Sequence, residues 1–89
     1  MTDGLLIPHA TSGRAPSARF GPVIRQLRDS RGWSQETLAG LANLNRSYMG
    51  EIERSAAMPS LATAEKLAHA LGVPLSELIS RCERTALGA

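Results

Sequence analysis

Two short helical patterns joined by only three residues, between Gln35 and Arg54, constrain the fold of this 89-residue chain more than any other feature. Ser34 precedes the first pattern, and its side chain can accept a hydrogen bond from a backbone N–H group at a helix start. Apolar residues then recur at helical spacing. In the connection an asparagine stands on each side of Leu44, and asparagine tolerates turns and left-handed backbone. The pattern predicts two helices joined by a tight turn.

The second helical pattern has an apolar side and a polar side. Met49 and Ile52 are predicted to point inward, and Asn45 can cap the helix that carries them. The opposite side carries only small, polar or charged residues, which are Arg46, Ser47, Gly50 and Glu51. A short helix that is polar outside and braced by a preceding helix is the helix-turn-helix geometry, whose second helix enters the major groove of DNA.

This stretch resembles the helix-turn-helix of the lambda-repressor-like (Xre-type) DNA-binding family. The family has a small residue where Ala39 stands, and apolar residues at positions occupied here by Leu38, Ala42, Leu44, Met49 and Ile52. The likeness covers about residues 20–79, including IRQLRDSRGWSQ before the unit and MPSLATAEKLAHALGVPLSELI after it. It implies an all-α, compact five-helix lambda-repressor-like domain. Asn43 stands where the family usually has glycine, and asparagine is the best other residue for positive φ.

Length and composition fit one small helical domain. The chain is long enough for a single core, and its formal net charge of +2 is by itself weak support for nucleic-acid binding. One cysteine excludes an intramolecular disulfide, and no apolar run is long enough to cross a bilayer. We expect a cytoplasmic protein in which residues 1–18 form a flexible tail, 19–84 the DNA-binding domain and 85–89 a second tail.

Apolar spacing predicts three further helices around the central unit. The first begins near residues 20–22 and ends at Gly32. The fourth is capped by Ser60, and its predicted inward residues are Leu61, Ala64, Leu67, Ala68 and Leu71. The fifth opens at Pro74, and its apolar stripe consists of Leu75, Leu78, Ile79 and Cys82. We expect the first two residues of this stripe to face the core, and Ile79 and Cys82 to lie at a two-fold dimer seam.

The resemblance also implies an ion pair inside the domain. Arg28 lies at the edge of the first helix's apolar stripe, and in this family an arginine there pairs with a glutamate late in the recognition helix, where Glu53 stands. Such a pair would tie the first helix to the third. The alternative is two unrelated surface charges.

The polar side of the second helix is the expected DNA-binding surface. Arg46 is the first candidate for a base contact, bidentate to guanine, with a phosphate contact as the alternative. Ser47 can bond to bases or phosphates, and Glu51 can accept from a cytosine amino group or repel wrong sequences. Asn45 could read a base edge, although capping is its simpler role. The predicted phosphate contacts are Ser34, Gln35, Tyr48 and Arg54, of which Gln35 matches a backbone-clamping glutamine of the family.

No arrangement of residues predicts catalysis, a cofactor or a metal site, because His9, His69 and Cys82 have no matching partners. The predicted function is a sequence-specific transcription regulator, a repressor or controller, that binds a palindromic operator in double-stranded DNA as a homodimer. The alternative is a protein-interaction module on the same fold, such as an antitoxin that binds a toxin. Its support is Gly50 and the loop Ala56-Ala57-Met58, which replaces the polar or basic residues usual in the family.

Overall fold

The computed structural model describes residues 15–86, with side chains for residues 15–84. All regular secondary structure in this range is helical. A single 3-10 turn and five α-helices follow in order: Pro16–Arg19, α1 (Phe20–Ser30), α2 (Gln35–Leu41), α3 (Arg46–Glu53), α4 (Leu61–Leu71) and α5 (Leu75–Ala86). The predicted all-α, five-helix fold is confirmed. Between residues 15 and 86, no helix is both long enough and apolar enough to cross a lipid bilayer.

Local features begin α2, α3 and α4, and end α4, where the sequence predicted. Ser34, Asn45 and Ser60 each accept a hydrogen bond from the backbone N–H three residues ahead, at 3.0, 2.8 and 3.1 Å. Gly72 ends α4 in left-handed backbone with φ of 75°. Asn43 has φ of 59° in the turn between α2 and α3, which is the conformation that its resemblance to a glycine position predicted.

The core lies where the apolar sides of the five helices meet. Its largest fully buried side chains are Ile24, Leu38, Met49, Ile52, Leu67, Leu71 and Leu78. Burying one such side chain contributes about 1.5–3 kcal/mol, so the two from α3 hold that helix strongly against the domain. Because Met49 and Ile52 point inward, the polar side of α3 must face solvent.

The predicted tails differ from the structure where they meet the domain. Residues 16–18, expected to belong to a flexible tail, lie in the 3-10 turn, which packs against α1 and α5. Pro16 presets the backbone φ at the start of this turn. At the other end, α5 continues through residue 86 instead of stopping at 84. Residues 1–14 and 87–89 of the two predicted tails lie outside the described part of the chain.

Two apolar residues are placed differently from the prediction. Leu61 was expected to point inward, but it is the first residue of α4 and 70% of it is exposed. Cys82 was expected at a dimer seam, but it is only 3% exposed and belongs to the core of the single chain. It lies one turn after Leu78, on the side of α5 that the chain itself covers, whereas the neighbouring Ile79 is 39% exposed. Burial raises the pKa of the Cys82 thiol, although the charge of Arg19 acts in the opposite direction.

Candidate nucleic-acid interface

The outward side of α3 borders a shallow polar groove. Arg46, Ser47 and Glu51 are all exposed, as the sequence predicted. The groove has a volume of about 330 Å³ and is lined by Gln35, Arg46, Ser47, Gly50, Glu51 and Arg54. The structure therefore brings together five of the predicted DNA-contacting residues on one solvent-facing surface, with residues from both α2 and α3.

A buried ion pair lies behind this surface. The Arg28 guanidinium donates from Nε to Glu53 Oε2 at 2.7 Å and from Nη2 to Glu53 Oε1 at 2.9 Å. Arg28 also donates from Nη1 to the Trp33 carbonyl at 2.7 Å. The two ionic residues are 8% and 7% exposed, so they form a bidentate pair in the interior and not two separate surface charges.

Gln35 joins the same carboxylate from α2. Its Nε2 donates to Glu53 Oε1 at 3.0 Å. One glutamate thus holds side chains from α1 and α2 through buried and partly buried hydrogen bonds, and the three helices cannot shift independently without breaking one of them. One of the two amide hydrogens of Gln35 is occupied in this way, which leaves only the other for the predicted phosphate contact.

The electrostatics of this cluster keep both ionic partners charged. Burial alone would raise the pKa of Glu53, but hydrogen bonds from Arg28 and Gln35, with the positive charges of Arg28 and Arg25, hold it below its ordinary value. The hydrogen bond to Glu53 raises the pKa of Arg28 despite the opposing effect of burial. The pair is therefore fully ionised at neutral pH and orients α3 through charge-assisted hydrogen bonds.

Gly50 lies on the outward side of α3 but is buried, contrary to its predicted exposure. A Cβ atom at this position would lie 3.0 Å from Arg54 Nη1 and 3.7 Å from Gln35 Oε1. The exposed Arg54 side chain therefore lies back against α3 and covers the glycine.

The remaining predicted contact residues have structural roles that are visible here. Asn45 Oδ1 accepts from the Tyr48 N–H, so its side chain caps α3. The Tyr48 ring is half-buried and packs against the core. Ser34 is exposed, and its hydroxyl oxygen accepts from the Thr37 N–H. Capping and packing occupy part of each of these side chains. The contacts of Ser34, Asn45 and Tyr48 with DNA stay predictions.

The loop after α3 combines a strained residue with apolar ones. Ser55 has φ of 63°, a left-handed conformation that few residues other than glycine and asparagine adopt. Met58 is 59% exposed, and it lines, with Ala57, a separate groove of about 200 Å³ beside Phe20. Within the part of the chain that the structure describes, no three histidine, cysteine or acidic side chains converge on a metal-binding position.

Two residues that hold the site in place were missed by the sequence reasoning. A Cβ atom on Gly21 would lie 2.8 Å from the Glu53 carbonyl oxygen and closer still to that of Ile52, so α1 crosses directly against the end of α3. Arg31 donates from Nη2 to the Leu71 carbonyl at 2.6 Å and joins α1 to α4. A glycine inside a helical pattern is the only sequence feature that could have indicated the first contact.

Comparisons with known proteins agree with this geometry. The sequence profile of the helix-turn-helix family matches residues 24–78. The HTH-type transcriptional regulator SutR of Escherichia coli K12 is 42% identical over 64 residues, which are 71% of this chain but only 36% of SutR. The chain thus spans about a third of that regulator's length.

Two solved structures of restriction-modification controller proteins are similar over nearly their whole length. C.AhdI from Aeromonas hydrophila has a TM-score of 0.68 and 46% identity, and the match covers 73% of this chain and 98% of that one. The C.Esp1396I tetramer, solved in complex with its natural 35 base-pair operator, has a TM-score of 0.76 and 26% identity, with 83% and 97% covered.

Proposed function

Because this chain belongs to the lambda-repressor-like (Xre-type) helix-turn-helix family, we propose that it is a sequence-specific transcription regulator that binds double-stranded DNA. The observation that carries this proposal is the two-sided character of α3. Met49 and Ile52 are buried, whereas Arg46, Ser47 and Glu51 are exposed beside an open polar groove. A helix held in this way can enter the major groove with its N-terminal residues nearest the base edges.

Arg46 is the residue that we expect to contribute most to base recognition. It is the first residue of α3 and is exposed, so its guanidinium can reach the floor of the major groove. Arginine can donate two parallel hydrogen bonds to the O6 and N7 atoms of guanine. Ser47 adds a hydroxyl of low selectivity, and Glu51, one turn later, can accept from a cytosine amino group or disfavour other bases.

The proposed contacts with the phosphate backbone come from the groove and from the start of α2. Arg54 lies at the C-terminal end of α3, and Ser34 and Gln35 lie at the start of α2. Phosphate contacts fix the orientation of the protein on the duplex without reading its sequence. Since Glu53 bonds to both α1 and α2, the helices that carry the proposed phosphate-binding and base-reading residues are joined to one another.

We further propose that the chain acts as a homodimer on a palindromic operator, as a repressor or controller in the cytoplasm. One helix-turn-helix unit contacts only a few base pairs, and two-fold dimers on half-sites about 34–36 Å apart gain the missing specificity. The controllers C.AhdI and C.Esp1396I support this role, the latter because it was solved as a tetramer on its operator. Ile79, exposed on α5, is the residue that we place at the dimer contact.

The test is selection of binding sites from a library of random DNA duplexes, followed by titration of the selected duplex at two salt concentrations. We expect enrichment of a palindrome. Arg46→Ala should weaken binding to it by about 10–100-fold, the loss expected for one bidentate base contact. Lys66→Ala is the matched control, because it removes the same charge from an exposed position on α4, outside the groove.

The opposite result would favour the protein-interaction alternative. If no sequence is enriched at either salt concentration, the exposed polar side of α3 does not read DNA. The loop Ala56-Ala57-Met58 would then become the first surface to examine, since Met58 is 59% exposed beside an apolar groove. Equal losses in Arg46→Ala and Lys66→Ala would mean that binding depends on net charge and not on base recognition.

A further inference from the structure

Gly50 occupies a position in α3 where a glycine needs an explanation. It lies within an eight-residue helix, where glycine is less favourable than alanine. Its φ is not positive, so no backbone conformation requires it. The structure offers a different reason, because the space that a Cβ atom would take is bordered by Arg54 Nη1 at 3.0 Å and Arg54 Cζ at 3.9 Å.

Arg54 follows the last residue of α3 and is exposed, so its long side chain is not confined by the core. It nevertheless lies back over the helix, four residues toward the N-terminus, with its guanidinium against Gly50. Residues four apart lie on the same side of a helix, and a side chain at position 50 would compete for this space.

The orientation of Gln35 favours the same placement. Because its Nε2 donates to Glu53 Oε1, its own Oε1 points away from that carboxylate. This oxygen lies 3.7 Å from the Cβ position of Gly50, on the border of the polar groove. Gln35 Oε1 is a hydrogen-bond acceptor, and it lies on the same side of α3 as the Arg54 guanidinium, which carries five N–H donors. Gln35 Oε1 and the Arg54 guanidinium thus border the same space beside Gly50.

We propose that Gly50 is a positioning residue for DNA binding: by leaving its side-chain space empty, it holds Arg54 across α3 in the orientation that contacts a backbone phosphate. This inference rests on the proposed function. Arginine loses much side-chain freedom when it is ordered on binding, and an arginine that is already held by its surroundings loses less. Gly50 touches no base in this scheme, and it acts only through Arg54.

A second glycine provides a matched control. Gly40 also lies inside a helix, in α2, but it is exposed and no atom lies within 4 Å of its Cβ position. Gly40→Ala and Gly50→Ala make the same chemical change, and both add a residue of higher helix propensity. Only the second takes space that Arg54 occupies.

The experiment titrates the full chain and its variants with duplex DNA over a range of salt concentrations. Gly50→Ala should weaken binding by about tenfold and lower the salt slope by about one, as loss of one phosphate contact does. Arg54→Ala should have the same two effects. Gly50→Ala added to Arg54→Ala should cause no further loss, while Gly40→Ala should bind as wild type does. Thermal unfolding should show that Gly40→Ala and Gly50→Ala are each at least as stable as the wild-type chain.

Each other outcome has a defined meaning. If the wild-type chain binds no duplex, the proposed function and this inference both fail. If wild type binds and Gly50→Ala binds equally well, only the inference fails. If Gly50→Ala weakens binding as much in the Arg54→Ala background as alone, the added methyl group blocks the DNA directly, and positioning through Arg54 is excluded. If Gly50→Ala unfolds, the glycine is needed for the packing of α3 itself, and the inference fails.

Discussion

The two ends of α3 are held by different kinds of interaction. At the N-terminal end, Asn45 caps the helix through a hydrogen bond to a residue three positions away, and Arg46 and Ser47 stay exposed. At the C-terminal end, Glu53 is buried and bonded to residues 25 and 18 positions away in sequence, on α1 and α2. The first end is organised locally, and the second by the packing of the whole domain.

This difference separates the residues proposed to recognise DNA bases from those that attach α3 to the rest of the domain. Side chains at the N-terminal end contribute little to the core, so they can differ among proteins with the same fold and change which bases are read. Side chains at the C-terminal end fix the orientation of α3 relative to α1 and α2. Substitutions at the two ends should therefore differ in kind, with large losses of stability at one end and small ones at the other.

The largest effect is expected from Glu53→Gln. It keeps the shape of the side chain but leaves the buried Arg28 with the exposed Asp29 carboxylate, 3.2 Å from its Nη1, in place of the buried Glu53 carboxylate. Removing one partner of a buried ion pair costs about 3–5 kcal/mol. Urea unfolding measures the loss. Glu51→Gln is the control, because Glu51 is exposed on the same helix and should change stability by less than about 0.5 kcal/mol. Equal costs for the two variants would remove the distinction between the two ends.

Acid should weaken the same contact in a predictable direction. Since its pKa is lowered on folding from an ordinary value of 4.5, Glu53 stabilises the fold fully above that value. The contribution is lost as the pH falls through the lower pKa of the folded state. As the pH is lowered below about 4.5, the free energy of unfolding of wild type should therefore fall more steeply than that of Glu53→Gln. Parallel curves for the two proteins would contradict this assignment.

Gly21→Ala should have the next largest effect, about 3 kcal/mol, at the upper end of the range for overpacking. The added Cβ atom would meet the backbone carbonyls of Ile52 and Glu53, which cannot rotate away as a side chain can. Urea unfolding again gives the change, and Gly40→Ala, which meets no atom, is the control. A stable Gly21→Ala protein would show that α1 and the end of α3 can separate without cost.

Of the three destabilising substitutions, Asn45→Ala should have the smallest effect, about 1 kcal/mol, because it removes one local cap. Ser60→Ala removes the same kind of cap from α4, outside the proposed interface, and should cost about as much. The two should differ in DNA titrations, where only the Asn45 variant disturbs the start of the recognition helix. If Asn45→Ala destabilised the domain as strongly as Glu53→Gln, the N-terminal end would not be locally organised.

Much of the site could be recognised from sequence because its residues follow one another along a single helix. The polar side of α3 follows from the spacing of Met49 and Ile52, and the resemblance to the family supplied the pairing of Arg28 with Glu53, which the structure contains. Apolar spacing was less reliable at the ends of elements. It placed Leu61 inward and Cys82 at a dimer seam, although the first is exposed and the second lies in the core.

By itself, the sequence determined the features that act within about one helical turn: the caps at Ser34, Asn45 and Ser60, the left-handed turn at Asn43, and the apolar side of each helix. Only the tertiary structure decided that Gln35 bonds to Glu53 and that α1 packs at Gly21 against the end of α3. The physical reason is the distance along the chain over which each interaction acts. A cap or a periodic stripe depends on neighbours along the chain, whereas close backbone approach and side-chain convergence depend on how separate helices pack.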